Sequence, residues 1–129
     1  MNDPLILIVD NDPYDVKDMR RIMGPDARIL VASTLAEARK LLDIPDLIIL
    51  DMVLANGDGV ELIQEMETRG LNTPIIAVSA WHEYKEKVKD HVVYWLDKPL
   101  ESSEFLMAVA SALDTSAALK RLKDFVRGA

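Results

Sequence analysis

Apolar runs of strand length recur along the chain at residues 5–9, 28–32, 47–50, 74–78 and 92–96. Between them, apolar residues return every three or four positions, the spacing of one helix face. The runs LILIV and LIIL are continuous rather than alternating, which predicts strands covered on both faces, as in a parallel sheet. The order reads βαβαβαβαβα. Short connections and right-handed crossovers then predict an α/β fold with helices on both faces of a single, doubly wound, five-stranded parallel sheet.

Helix boundaries are legible. Asp12 can cap a helix with Pro13 at its first position and Asp15 in its first turn. Met19, Ile22 and Met23 supply its apolar stripe, and Gly24-Pro25 ends it. Thr34 and Glu37 are spaced as a capping box ahead of Ala38, Leu41 and Leu42. Asp58 and Glu61 repeat that spacing before Leu62, Ile63 and Met66, with Gly70 as a stop. Residues 81–90 are mostly polar, with Val88 as the apolar anchor. Met19, Met23, Met66 and Met107 sit at helical core spacing and need no cofactor to explain them.

The last helical pattern is long. Unbroken from residue 102 to 126 it would extend ~37 Å, more than a small sheet requires. Phe105, Val109, Ala112, Leu119 and Val126 form a roughly heptad-spaced stripe interrupted by Ser116, and Asp114-Thr115-Ser116 is the expected break. Residues 1–114 therefore read as one domain and 115–129 as a C-terminal helical extension or the start of a linker.

Composition narrows the function. The chain has 129 residues, half of them apolar, enough for one domain with its own core. It has no cysteine, which excludes disulfides and thiolate metal sites and suits a reducing cytoplasm. The N-terminal MNDPLILIVD lacks the basic and long apolar regions of a secretion signal, and no apolar run approaches bilayer-spanning length. A net charge of −7 argues against direct nucleic-acid binding by this segment. The tail from Thr115 carries Lys120, Arg121, Lys123 and Arg127 against Asp124, a net of +3, which leaves −10 on the rest. Cations closing a helix complement its dipole, and that reading is preferred to a nucleic-acid arm.

Four strands each run into a polar tip: ILIV into Asp10-Asn11-Asp12, LIIL into Asp51, IIAV into Ser79, and YWLD into Lys98-Pro99. In a parallel sheet these tips share one end, where open α/β sheets place their ligands. Carboxylates gathered there with a hydroxyl and an ammonium suit a divalent cation and a phosphoryl group. Asp12 and Asp58 read first as helix caps, while Asp97, His82 and His91 read as surface residues.

The strings ILIVDND, LIILDMVLANGDG, PIIAVSA and YWLDKP, in this order over residues 5–113, resemble the receiver domain of two-component response regulators, a flavodoxin-like (βα)5 fold. The resemblance implies that Asp51 is the phosphoacceptor, taking a phosphoryl group from a histidine kinase or phosphotransfer protein to form an acyl phosphate. It implies a Mg2+ ion held by Asp10, Asn11, Asp51 and the Val53 carbonyl. Ser79 matches the hydroxyl residue that meets the phosphoryl group. Lys98 matches the lysine that neutralises its charge and pairs with Asp51 beforehand. Trp95 matches an aromatic switch position, and homodimers through the fourth and fifth helical faces are an expectation of the same kind. The implied protein is a cytoplasmic signalling switch, not an enzyme acting on other substrates.

Departures from the pattern carry their own expectations. Asn11 replaces the second carboxylate of an acidic pair, so metal binding should be weaker. Ala55 stands where proline commonly stiffens the loop after the phosphoacceptor, so that loop should be looser. Val53 and Trp81 stand two residues beyond Asp51 and Ser79 respectively. The resemblance implies that these positions flank the water path to an acyl phosphate, so their apolar side chains are expected to exclude water. Trp81 and Trp95 should both lie near the crevice. Two rival readings follow from the same residues. One is a degenerate receiver acting as a phosphorylation-independent interaction module, supported by Asn11. The other is a haloacid-dehalogenase-type hydrolase, because Asp10-x-Asp12 mimics that nucleophile motif, although Tyr14 stands where a small residue is expected. No output domain is readable after Ala129, so the chain reads as a stand-alone regulator or as part of a longer protein.

Overall fold

A strand buried on both faces needs apolar side chains in both of its alternating rows, and the central strands have them. The computed structural model describes residues 4–114. In chain order it contains β1 (Leu5–Val9), α1 (Pro13–Met23), β2 (Arg28–Ala32), α2 (Leu35–Arg39) and β3 (Leu47–Asp51). A small hairpin follows, β4 (Val53–Leu54) and β5 (Gly57–Asp58), then α3 (Gly59–Thr68) and β6 (Ile75–Ser79). A 3-10 turn at His82–Tyr84 leads into α4 (Lys85–Val88), β7 (Tyr94–Asp97) and α5, helical over residues 102–114.

Five strands form one parallel sheet in the order β2-β1-β3-β6-β7, as the alternation of elements predicts. Successive side chains of β1 and β3 divide between two cores. Leu7, Val9, Ile48 and Leu50 pack with Leu62 and Met66 of α3 and with Val88 of α4. Ile6, Ile8, Leu47 and Ile49 pack with Met19 of α1 and with Phe105 and Val109 of α5. Each fully buried side chain of this size contributes roughly 1.5–3 kcal/mol, so the two layers together drive folding.

The caps follow the sequence closely. Asp12 accepts from the Tyr14 N–H at 2.9 Å with Pro13 opening α1, and Gly24, at φ 89°, ends it in a conformation that favours glycine. Asp58 and Glu61 form the reciprocal capping box of α3. At α2 the reciprocity is displaced: Thr34 accepts from Glu37 N–H, but the Glu37 carboxylate turns to Ser33 N–H instead. That helix also ends earlier than the spacing predicts. Beyond Arg39 the chain continues in tighter turns, with Leu41 N–H on the Ala38 carbonyl and Ile44 N–H on Leu41. Pro45 disfavours helical backbone at Ile44, while Leu42 stays fully buried.

Other expectations need correction. Met107 is 70% exposed, because α5 presents Phe105, Ala108, Val109 and Ala112 to the sheet and leaves 107 on its far side. The fifth strand begins at Tyr94, two residues later than its apolar run, since as an edge strand it needs only one covered face. The segment after Asp51 forms a hairpin rather than an irregular loop: β4 and β5 pair antiparallel around Ala55-Asn56, over buried Met52 and Leu54. Helix α5 still includes Asp114, while the rest of the expected break at 115–116, the stripe beyond Ala112 and the basic tail lie outside the described residues.

Candidate functional site

The order of strands locates the site before any side chain is considered. From β1 the chain crosses to β2 on one side and later to β3 on the other, so the loops after β1 and β3 leave in opposite directions. A crevice opens between them at the carboxyl ends, and Asp10 and Asp51 stand on its two sides.

Each strand end bends through the same local device, in which a side-chain oxygen accepts the backbone N–H two residues on. Asp10 Oδ1 takes Asp12 N–H at 2.9 Å, Asp51 Oδ1 takes Val53 N–H at 3.1 Å, and Ser79 Oγ takes Trp81 N–H at 2.9 Å. These three are also the buried polar side chains among the described residues, at 1%, 7% and 1% exposure. The second carboxylate oxygens of Asp10 and Asp51 turn inward to one cation. Lys98 Nζ donates to Asp10 Oδ2 and Asp51 Oδ2 at 3.1 Å each, and to Asp15 Oδ2 at 2.7 Å. Lys98 is brought there because its own N–H continues the β6–β7 ladder onto the Ser79 carbonyl at 3.0 Å; the Lys98–Pro99 peptide is cis.

Burial and charge pull against each other here. Burial raises the Asp10 carboxyl from 3.8 to about 6, against the lowering effect of the Asp12 N–H and Lys98, with Asp51 pushing it further up. Burial pulls the Lys98 ammonium down, but the hydrogen bond to Asp15 and the charges of Asp51 and Asp10 outweigh it, so the lysine is held above its ordinary range. Lys98 is thus a fixed cation at neutral pH.

The crevice encloses about 470 Å3 and is lined by Asn11, Asp12, Pro13, Tyr14, Asp15, Asp51, Val53, Ala80, Trp81 and Lys98. Of the residues singled out from the sequence, Asp10, Asp51 and Lys98 are in direct contact. Asn11 lines the opening and is exposed, and Ser79 lies at the adjoining strand end with its hydroxyl turned to the Trp81 backbone. Trp81 stands at the rim, 54% exposed, as expected. Trp95 does not line the crevice. It packs on the α3 and α4 side of the sheet and donates Nε1–H to Asp97 Oδ1 at 2.9 Å. Asp97 also faces His82 Nδ1 at 3.3 Å, and His91 pairs with Glu67, so both histidines are surface residues. By sequence Asp15 is only an acid in the first turn of a helix. Nothing in the linear sequence links residue 15 to residue 98, and only the fold brings Asp15 onto the Lys98 ammonium.

Whether a dication suits the site follows from its donors. Asp10 and Asp51 offer hard oxygen ligands in a buried, mutually repelling pair, with Asn11 alongside. Among the described residues no three or more His, Asp or Glu side chains form a ready cage. The two carboxylates and the amide oxygen are hard donors of the kind Mg2+ takes when it keeps several waters.

A family model described as the response regulator receiver domain matches residues 6–123 of the chain. The chain belongs to the response regulator receiver family. The receiver is 32% identical over 113 residues to an uncharacterized 14.6 kDa protein from Leptolyngbya boryana, covering 81% of this chain and 86% of that one. It is 32% identical to the response regulator protein PilR of Pseudomonas aeruginosa over 83% of its own length but only 25% of PilR's. The receiver thus spans about a quarter of that relative. In fold it is similar to a CheY-like receiver domain protein from Methanospirillum hungatei, with a TM-score of 0.80 at 20% identity over 91% of this chain and 98% of that one. Membership makes the receiver a signalling domain of two-component systems and displaces the hydrolase reading of Asp10-x-Asp12. Among the described residues no helix is long and apolar enough to cross a membrane.

Proposed function

We propose that Asp51 is the phosphoacceptor of this receiver, and that its phosphorylation by a histidine kinase or phosphotransfer protein in the cytoplasm changes the affinity of the domain for a partner. The observation that carries the reading is the single ammonium of Lys98 bridging Asp51 and Asp10 at the point where the strand order reverses. In the transfer, an Asp51 carboxylate oxygen attacks phosphorus while the P–N bond to the donor imidazole breaks and its electron pair returns to nitrogen. Asp51 is held for this by the Val53 N–H on its other oxygen. Lys98 stays charged and offsets the added phosphoryl charge, near −2. Ser79, one strand over, can turn its hydroxyl from the Trp81 N–H toward the phosphoryl group. Trp95, tied to Asp97, is the aromatic side chain suited to follow that movement. Receiver domains generally bind Mg2+, and Asp10, Asn11, Asp51 and the Val53 carbonyl would hold it here. When bound it supplies positive charge opposite the phosphoryl oxygens.

Tryptophan emission tests the reading, because Trp81 and Trp95 are the only indoles. Addition of Mg2+ and then beryllofluoride should give a saturable change in the native chain and none in Asp51→Asn. Silence of the native chain to both additions supports a degenerate interaction module instead.

A further inference from the structure

Lys98 has three N–H donors, and each one meets a carboxylate. A phosphoryl oxygen on Asp51 needs one of them. Asp10 is buried, so its carboxylate deprived of the ammonium has little water to take its place. Asp51 once phosphorylated is an acyl group, and its share of the ammonium passes to the phosphoryl oxygens. Asp15 is different. It sits in the first turn of α1 with its side chain 34% exposed, so solvent can replace the lysine there. Its contact is also the shortest of the three, at 2.7 Å against 3.1 Å, and therefore fixes where the ammonium rests.

We propose that Asp15 is a resting clamp on Lys98, a positioning residue that holds the ammonium on the α1 side of the crevice until a phosphoryl oxygen on Asp51 draws it away. The inference rests on the reading of Asp51 as phosphoacceptor and deepens it. The clamp competes with a phosphoryl group for Lys98, yet its negative charge helps attract a dication. Its removal therefore moves the two ligands in opposite directions, whereas a residue that merely supports the fold would weaken both.

The test uses the full chain and its tryptophan emission, titrated first with Mg2+ alone and then with beryllofluoride at saturating Mg2+. Asp15→Asn removes the charge, and Asp15→Ala removes the acceptor as well. Asp12→Asn is the control, because Asp12 lines the same crevice but bonds the Tyr14 N–H, and asparagine caps a helix equally well. Both Asp15 variants should bind beryllofluoride roughly three- to tenfold more tightly and Mg2+ roughly two- to fivefold more weakly, the range of a partly exposed ion pair. Asp12→Asn should shift beryllofluoride less than about twofold. Equal tightening in Asp12→Asn and Asp15→Asn would reduce Asp15 to one more crevice charge and overturn the clamp. Weaker or unchanged beryllofluoride binding in the Asp15 variants overturns it too. A native chain that ignores beryllofluoride overturns the phosphoacceptor reading itself, whereas a native response unaltered by the Asp15 variants sinks the clamp alone.

Discussion

Replacing Asp10 with asparagine should stabilise the protein and at the same time impair its site. Burial lifts the Asp10 carboxyl from 3.8 to about 6, so its ionised form is disfavoured in the folded chain. The contribution has a definite sign: it is fully present below about pH 4, is lost as pH rises through about 6, and stays lost above. At about 1.36 kcal/mol per unit, the rise corresponds to about 3 kcal/mol, and with Asp10 only 1% exposed, solvent screening is negligible. Asparagine mimics the protonated acid. Its oxygen can keep the Asp12 N–H, its NH2 takes the place of the oxygen that accepted from Lys98 just as the acid O–H would, and the ammonium keeps Asp15 and Asp51. Urea unfolding of both proteins from pH 4 to 8, without metal, should show a stability difference near zero at pH 4 that grows to about 3 kcal/mol in favour of Asp10→Asn above pH 7. Saturating Mg2+ should narrow the gap by stabilising only the native chain. If Asp10→Asn is the less stable protein at pH 7, or the difference ignores pH, the ion pair with Lys98 outweighs burial and the reasoning fails.

Three further outcomes follow from the same site and its supports. Asn11→Asp restores a carboxylate at the crevice mouth and should tighten Mg2+ binding roughly tenfold in an emission titration, while equal affinity in the two forms contradicts a metal role for position 11. Trp81→Ala opens the rim above Asp51 and should shorten the lifetime of the acyl phosphate several-fold in a dephosphorylation time course; an unchanged lifetime removes Trp81 from water exclusion. Gly59→Ala would place a Cβ 2.8 Å from Met52 Sδ and 3.0 Å from Leu50 Cδ2 beneath the Asp51 loop. It should cost about 1 kcal/mol in urea unfolding despite better helix propensity, and an unchanged midpoint would show that Met52 yields freely.

Much of this protein was written in one dimension. Continuous apolar runs marked β1 and β3 because a strand between two helical layers has no polar face to show. Asp12, Thr34 and Asp58 marked helix starts because an N-cap acts only on its nearest N–H groups. The gathering of Asp10, Asp51 and Lys98 was legible too: each stands at the end of its own strand, and parallel strands share one end. What the linear order could not give was everything decided across elements. Helix α2 ended early at the approach to Pro45, Met107 faced away from the sheet, and the Asp51 loop closed into a hairpin without proline. Trp95 turned to Asp97 rather than into the crevice. Asp15 looked like one more acid in a helix's first turn until residues 15 and 98 met. Local rules fix caps and strand ends because the interacting atoms are neighbours in the chain. Which carboxylate a distant ammonium selects depends on burial and distance, and those exist only once the sheet has assembled.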